Sequence, residues 1–535
     1  MPFTIQLEAL LYFRNMNYYR QLVTFIQKNE RLLFWLYALL HFFLIWAFDW
    51  LMTYDGPLHL YNARQLWEIF SGNGEELLKW YSLNPRPDNW FVHGLLALLS
   101  HLAGPSIGEK LLLTIYAVVF VWGFRAWMVQ NGYRVMSWWV FFLLYSFSFY
   151  LGLYSFAMSV AIFPWFMVVW QKWLIEGGNS RLLWSGFLLT LTYLTHMVSF
   201  TVAGLVAGIF VLVIGVNWPS RIRMLTRLVI IALPGLVLSI WFFIHNPLST
   251  NLNFIPITAK LDSLFRLSSL IAFNTGKESL VTIPVFLTVV PTLIWLLYHN
   301  RLKTKSVKAY LVAIFTLLLL YFVAPDVAAG GGYITMRLNL LLTLVSMAAM
   351  ALAKPFAGRL NWVWAFVVLG QLYLFNLKLM SSNSLNEDVK EMQESQAYVR
   401  KNATLVTFNY SSNWFHRHIT AYAGLEVPLV NFNNNEATNA YFPLRWRKNE
   451  KVDACVWHWG EIKTFPQQKL RSMPDTSFLP DQIVFWSKNT LSEDQYDTLL
   501  NNLLAQQYQL IHQSEGGRLE IYLHKRINTL SGHEH

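Results

Sequence analysis

Long apolar runs alternate with short polar connections along most of the chain, as in a protein that crosses a membrane many times. A helix needs roughly 20 apolar residues to cross about 30 Å of hydrocarbon. The pattern therefore predicts a polytopic α-helical membrane protein. We predict eleven spans, at residues 32–51, 110–130, 136–151, 153–174, 182–197, 198–217, 227–246, 281–299, 308–326, 337–353 and 360–378.

The apolar segment 90–104 is ambiguous, because it is short and is interrupted by His93, Gly94 and His101. Counting it as a span would reverse every later segment. If it lies in the interface or re-enters, one side of the membrane collects most basic connections, and that side is cytoplasmic. The amino terminus is then inside and the carboxyl-terminal part outside. The basic connections lie around residues 28–31, 134, 172–181, 221–227, 301–308 and 354–359.

Three regions lie outside the predicted spans. Residues 1–31 form a retained, basic, amphipathic cytoplasmic segment, and 52–109 form a long first outer loop with helices near Leu60–Phe70 and Glu75–Tyr81. The transmembrane domain is 32–379, and 380–535 is a polar periplasmic domain. Alternation and length predict a small α/β fold there. Its strands are Thr404–Phe408, Gln482–Trp486 and Leu519–Leu523, its helix is Ser492–Gln506, and Asn431–Asn439 is a loop.

Composition narrows the functional classes. The 535 residues are 55% hydrophobic and 13% charged, with a net charge of +11. The basic residues are scattered over short connections and form no continuous face, which argues against nucleic-acid binding. The one cysteine, Cys455, excludes an internal disulfide and a cysteine-based metal cage. No phosphate-binding loop or serine-hydrolase elbow stands out.

Polar residues that are distant in sequence fall at the same depth, at the outer ends of spans or in outer loops. Ionisable groups in a membrane are costly and usually mark function or a specific partner. Their shared depth predicts one site at the outer membrane face. The candidates are Asp55, His59, Asp88, His93, Tyr154, His196, Asp326 and Arg337.

Asp55 is the candidate catalytic residue. It precedes Gly56-Pro57, which breaks the helix and can present the carboxylate to a cavity as a general base. The alternative is a helix cap, a common role of Asp before Pro. His59 follows four residues later, on the same helical face. The pair could hold a divalent metal, or His59 could bind substrate or only support the loop.

Arg337 is the candidate phosphate ligand. It follows Gly330-Gly331-Gly332, where the backbone can approach a ligand closely, and guanidinium matches phosphate geometry. The alternative is an arginine that snorkels to the headgroups. Asp326 is either its partner or a second acid. His196, Asp88 and His93 are substrate ligands or packing residues, and Tyr154 either stacks on a sugar or anchors the interface.

The predicted architecture resembles that of a GT-C glycosyltransferase. The shared features are an acid in the first outer loop, juxtamembrane helices, about eleven spans and an outer carboxyl-terminal domain. The resemblance is to the branch that contains protein O-mannosyltransferases and the bacterial lipid A aminoarabinose transferase, and Asn84–Lys110 is similar to the stretch that follows the juxtamembrane helices in those enzymes. The resemblance implies a polyprenyl-phosphate sugar donor, Asp55 as base and Arg337 near the donor phosphate. Gly56 stands where many relatives carry a second acid, which leaves metal use open.

We therefore expect an inverting glycosyltransferase in the inner membrane of a bacterium, acting at the periplasmic face on a lipid, glycan or protein acceptor. A divalent metal is the only cofactor considered, and membrane lipids are the expected surroundings. One alternative is a transporter or flippase for a lipid-linked glycan, which needs no catalytic carboxylate and places polar residues near the midplane. Another is a non-enzymatic envelope assembly protein, without a deep cavity at Asp55.

Overall fold

The computed structural model describes residues 3–86, 89–245, 252–298, 304–328, 330–354, 361–439, 441–447, 479–488 and 498–527. The chain divides into two compact units, Met1–Ala47 and Phe48–His535. The first unit is one helix, α1 (Phe3–Trp46), of 44 residues. At 1.5 Å per residue it is about 66 Å long, more than a bilayer core requires. Helix α1 ends at Trp46, five residues before residue 51, where the first span was predicted to end.

The second unit holds the other helices. Among the described residues, eight of them are long and apolar enough to cross a membrane: α5, α8, α10, α11, α13, α14, α15 and α16. These eight agree with a multi-pass membrane protein. The helices are α2 (Gly56–Phe70), α3 (Glu75–Leu78), α4 (Trp90–Ala103), α5 (Pro105–Gln130), α6 (Val140–Leu143), α7 (Phe147–Tyr150), α8 (Tyr154–Glu176), α9 (Asn179–Thr195), α10 (Met197–Ile214), α11 (Trp218–His245), α12 (Ile257–Phe265), α13 (Thr275–Tyr298), α14 (Lys305–Val323), α15 (Ile334–Ala353), α16 (Asn361–Gln393) and α17 (Thr498–Gln507).

The predicted span at 136–151 is wrong. That segment is a 3-10 helix (Arg134–Trp139) followed by the short helices α6 and α7. Irregular backbone is tolerated at membrane depth only where protein buries it and satisfies its polar groups. Here Tyr116 donates to the carbonyl of Leu144 at 2.7 Å, and buried Lys378 donates to the carbonyl of Tyr145. Apolar composition alone could not distinguish this buried segment from a span.

The ambiguous segment 90–104 forms α4, which has 14 residues. It is about 21 Å long, too short to cross the membrane. It packs against α2 and α5. The short length of α4 favours the alternative in which the segment lies in the interface or re-enters the membrane.

The carboxyl-terminal region contains the predicted small α/β fold. Its five-stranded sheet has the order β3-β2-β5-β7-β6, with β3, β2 and β5 parallel and β7 antiparallel to β5. The strands of the chain are β1 (Tyr81–Leu83), β2 (Thr404–Asn409), β3 (Val430–Asn431), β4 (Leu444–Trp446), β5 (Gln482–Trp486), β6 (Tyr508–Gln513) and β7 (Leu519–His524). The predicted strands coincide with β2, β5 and β7, whereas β1, β3, β4 and β6 were not predicted.

The first outer loop and the carboxyl-terminal region form one packed layer. Strand β1 pairs with β4 in an antiparallel ribbon in which Tyr81 faces Trp446. The hydroxyl of Tyr61 in α2 donates to the carbonyl of Leu429 at 2.8 Å and accepts from the amide of Asn431 at 2.9 Å. Residues that are far apart in sequence therefore meet in this layer. The predicted boundary at 379–380 falls inside α16, which continues to Gln393.

Candidate active site

The loop that carries Asp55 is built against the turn between α7 and α8. The amides of Tyr54 and Asp55 donate to the carbonyls of Tyr150 and Leu151, at 2.9 and 3.2 Å. Gly152 has a φ of +77°, and a Cβ at that position would lie 2.7 Å from the amide nitrogen of Asp55. Only glycine combines that backbone conformation with so close an approach. The turn therefore holds the carboxylate in one place.

The Asp55 side chain has few partners. Asp55 is the residue before α2, yet its side chain makes no capping hydrogen bond, so the capping role considered above is not seen. Its side chain is 26% exposed, and its Oδ1 lies 3.5 Å from Nε2 of His418. Burial raises the pKa of Asp55 to about 7, although His59, Arg337 and Arg417 lower it. A carboxyl with a pKa near neutrality suits a general base.

Arg337 lies in the first turn of α15, with 9% of its surface exposed. Its Nη1 lies 3.2 Å from Nε2 of His196, and its guanidinium lies over the ring of Phe156, 5.6 Å from the centroid. Within the described residues, its buried Nε has no hydrogen-bond partner and no carboxylate pairs with it. The predicted Asp326–Arg337 pair is not formed. Asp326 instead accepts from the amide of Thr335, 3.2 Å away, and caps α15.

His59 and His93 do not face an open cavity. They form a buried cluster with Glu436, whose Oε1 lies 2.5 Å from Nδ1 of His59 and whose Oε2 lies 3.4 Å from Nε2 of His93. Burial lowers the pKa of His59, but the Glu436 carboxylate more than offsets this and raises it to about 9. Burial opposes ionisation of Glu436, yet the two histidines hold its pKa well below its usual range. Asp55 is not part of this cluster.

Tyr154 supports the loop that carries Asp55 through hydrogen bonds. Its hydroxyl donates to Oε1 of Glu109 at 2.5 Å and lies 2.9 Å from the hydroxyl of Thr53, which accepts from the amide of Gly56. A Cβ on Gly56 would lie 2.6 Å from the Tyr154 hydroxyl and 2.9 Å from Glu109. The tyrosine is 4% exposed, so its ring is not free to stack on a sugar. Here Glu109 from α5 supplies a carboxylate beside the glycine at position 56.

A polar pocket opens at the carboxyl ends of parallel strands β2 and β3, the edge where ligands bind in open α/β sheets. His418, which lies beside Asp55, forms part of its wall, and Leu58 contributes from α2. The remaining lining residues are Thr407, Phe408, Asn409, Tyr410, Arg417, Thr420, Ala421, Asn431, Asn433 and Asn435. A separate apolar groove between α4 and α9 is lined by Trp90, Phe91, Gly94, Leu95, Leu98 and Leu194.

Sequence reasoning missed four residues of this region: Glu109, Arg417, His418 and Glu436. Glu109 is the last residue of the predicted first outer loop and was not singled out as a candidate. The other three lie in the carboxyl-terminal region, from which no catalytic candidates were drawn. The run His416-Arg417-His418 was the available signal, since it concentrates basic side chains between aromatic ones. Predicted candidate Asp88 lies outside the described residues.

Two solved structures of ArnT from Cupriavidus metallidurans share the fold of this chain, one in the apo state and one bound to undecaprenyl phosphate. The TM-score is 0.54 in both cases, at 12% and 13% identity, covering 92% of this chain and 98% of that chain. No protein-family model and no curated protein matches the sequence. The similarity establishes a shared fold, and it confirms the predicted fold-level resemblance to the lipid A aminoarabinose transferase.

Proposed function

We propose that this protein is a membrane glycosyltransferase that moves a sugar from a polyprenyl-phosphate donor to an acceptor hydroxyl at the outer membrane face. The observation that carries the proposal is the pairing of two incompletely satisfied groups. Asp55 makes no capping bond, and buried Arg337 has an unpaired Nε within the described part of the chain. The two groups are electrostatically coupled, since the positive charge of Arg337 lowers the pKa of Asp55.

An unpaired buried donor on a guanidinium is expensive unless a ligand completes it. A phosphate does so well, because guanidinium and phosphate match in geometry and charge. Arg337 would hold the donor phosphate, and His196, whose Nε2 lies 3.2 Å from Nη1 of Arg337, brings no negative charge that would compete with the phosphate. The structure of ArnT bound to undecaprenyl phosphate supports a donor of this class.

In the proposed reaction, Asp55 takes the proton of the acceptor hydroxyl. The acceptor oxygen attacks the anomeric carbon on the face opposite the phosphate, so the configuration inverts. The bond between the anomeric carbon and the phosphate oxygen breaks, and its electron pair leaves with the polyprenyl phosphate. Arg337 stabilises the charge that develops on this leaving group, and such electrostatic stabilisation is usually the largest catalytic contribution.

The polar pocket of the carboxyl-terminal region is the proposed acceptor site. Several asparagine side chains line this pocket, and His418, which forms part of its wall, lies 3.5 Å from Asp55. Burial lowers the pKa of His418 to about 3, so the ring is neutral and does not compete with the acceptor for charge. The apolar groove between α4 and α9 is the proposed entrance for the polyprenyl chain.

The site is proposed to face the periplasm of a bacterial inner membrane, with the amino terminus in the cytoplasm, as the distribution of basic connections favours. A flippase for a lipid-linked glycan is the alternative. It would also use Arg337, but it gives no reason for an uncapped carboxylate with a pKa near 7 at the same end.

The test is glycosyl transfer in membranes, with radiolabelled polyprenyl-phosphate sugars and Asp55→Asn against wild type. General base catalysis contributes roughly 10²–10⁴-fold, so we expect a loss of that size. Asp49→Asn is the matched control, because that side chain is 74% exposed. Equal accumulation of all three proteins in the membrane is checked first. Unchanged transfer by Asp55→Asn would overturn the role of Asp55, and ATP-independent movement of intact donor without transfer would favour the flippase.

A further inference from the structure

The cluster of His59, His93 and Glu436 has the composition of a metal site. Their ligand atoms all lie within 4.8 Å of one another, and all three side chains are buried. We propose that this cluster binds a divalent transition-metal ion of the zinc type. The inference does not rest on the proposed glycosyltransferase activity, since it concerns these three side chains and not the reaction.

The distribution of hydrogens supports the proposal. Nε2 of His59 lies 2.8 Å from the carbonyl of Gly152, and Nδ1 of His93 lies 2.9 Å from the carbonyl of Asn89. A carbonyl only accepts, so each of these nitrogens carries the hydrogen of its ring. In neutral rings the other nitrogens, Nδ1 of His59 and Nε2 of His93, then carry lone pairs. These lone pairs face each other at 3.1 Å and both face Glu436.

Three lone-pair donors that converge on one point need a positive charge between them. A single proton on Nδ1 of His59 can satisfy the shortest contact, to Oε1 of Glu436, but leaves the lone pair on Nε2 of His93 facing Oε2 of Glu436 at 3.4 Å. A divalent cation satisfies all three at once. Histidines that bind a metal through one ring nitrogen usually donate the N–H of the other ring nitrogen to a group such as a backbone carbonyl. That hydrogen bond fixes the tautomer and the ring orientation.

The spacing fits a small tetrahedral ion. With bonds of about 2.0–2.1 Å, ligand atoms around zinc lie about 3.3 Å apart. The two separations that involve His93 are 3.1 and 3.4 Å, and the Glu436–His59 separation of 2.5 Å would lengthen when an ion enters. Imidazole nitrogens with one carboxylate suit zinc and its neighbours, whereas magnesium and calcium prefer oxygen. Asn62 donates to Oε2 of Glu436 at 2.6 Å and orients that carboxylate.

The ligands come from three separate parts of the chain. His59 lies in α2, His93 in α4, and Glu436 in the 3-10 helix Glu436–Thr438 of the carboxyl-terminal region. The ion would therefore join the first outer loop to that region one helical turn from Asp55. Its role would be to hold the acceptor side of the site in place. Asp55, a ligand candidate on sequence grounds, is not in the group that the described residues form.

The test is metal content of the full-length protein, purified in detergent with a tag that contains no histidine. The protein is stripped with a chelator, reloaded with zinc or cobalt, desalted and analysed by mass spectrometry. We expect one ion per chain, and for cobalt the visible absorption of a low-coordinate site with nitrogen ligands. His93→Ala and Glu436→Gln should each reduce the retained metal at least tenfold.

Matched controls are His245→Ala and Glu426→Gln, which remove the same chemical groups from exposed positions outside the cluster. Both should retain one ion per chain. If the cluster variants do not fold, the X-ray absorption spectrum of the zinc-loaded wild type tests the proposal. It should show two imidazole ligands on the zinc ion. The proposal is overturned if the wild type retains less than a tenth of an ion, if the absorption spectrum shows no imidazole, or if folded cluster variants keep the metal. These readouts are independent of glycosyl transfer.

Discussion

Asp55 and His59 are one helical turn apart, yet their surroundings differ sharply. The Asp55 carboxylate is 26% exposed and has no partner closer than His418 at 3.5 Å among the described residues. His59 is 7% exposed and contacts Gly152, His93 and Glu436 at 3.1 Å or less. The difference separates two kinds of residue. A group that reacts keeps part of its bonding capacity for substrate, whereas His59 is enclosed by other groups of the protein.

Two buried cations show the same contrast. Lys260 in α12 is 2% exposed and donates to the carbonyls of Tyr321, Phe322 and Ala324, at 3.3, 3.0 and 2.7 Å. All its donors are used, and it closes the carboxyl-terminal end of α14. Arg337 is similarly buried, but its Nε has no partner in the described part of the chain. The saturated cation supports structure, and the unsaturated one is suited to bind an anion.

The largest expected effects separate Asp55 from Glu436. Asp55→Asn should lower the rate of glycosyl transfer roughly 10²–10⁴-fold. It should not lower thermal stability, because the uncharged amide removes the free-energy penalty of burying a carboxylate. Glu436→Gln should instead destabilise by roughly 3–5 kcal/mol, since it leaves buried His59 without its partner. Thermal unfolding and transfer are measured on the same preparations. The comparison would fail if Asp55→Asn were the less stable variant.

Arg337→Lys should have the next largest effect on glycosyl transfer. A lysine keeps the charge but loses the planar donor set, and removal of one such donor at developing charge typically costs about 10²–10³ in kcat. Most of the loss should appear in kcat, because the charge develops in the transition state. Lys260→Met is the paired control, expected to lower thermal stability while transfer by the folded fraction stays within a few-fold. A loss confined to the KM for donor would instead make Arg337 a simple binding residue.

The pH dependence of transfer should follow Asp55. Burial raises the pKa of its carboxyl to about 7, so the ionised base is depleted below that pH. Activity should therefore fall about tenfold per pH unit below 7 and level off above it. The same raised pKa means that the stability contributed by the protonated carboxyl is lost as pH rises through 7. Asp55→Asn should thus gain thermal stability relative to wild type at pH 8, and its residual transfer should lose the step near pH 7.

The smallest effect should come from Tyr154→Phe. The change removes the hydroxyl that connects Glu109 to Thr53 but leaves the buried ring in place. We expect a loss of several-fold in kcat, because the Asp55 loop is less firmly held while no reacting group is lost. Tyr116→Phe is the matched control, since its hydroxyl donates to the carbonyl of Leu144 away from this loop. A loss as large as that of Asp55→Asn would mean that Tyr154 itself contacts substrate.

Much of the fold could be predicted because local sequence determines it. Apolar runs of bilayer length define helices such as α5 and α15, and β-rich alternation located β2, β5 and β7. The segment 136–151 is the instructive failure. Its composition resembles that of a span, and buried donors such as those of Tyr116, Gln371 and Lys378 allow its backbone to be irregular.

The sequence by itself determined the multi-pass helical architecture, because hydrophobicity acts locally along the chain, and it predicted a shared depth for Asp55, His196 and Arg337. Tertiary structure alone decided the partners. It brought Glu436 into contact with His59, which is 377 positions away in sequence, and it brought Glu109 next to Gly56. It also directed Asp326 to the amide of Thr335, so that Asp326 does not pair with Arg337. Partner choice depends on which surfaces pack together, and side-chain spacing in one sequence carries no record of that packing.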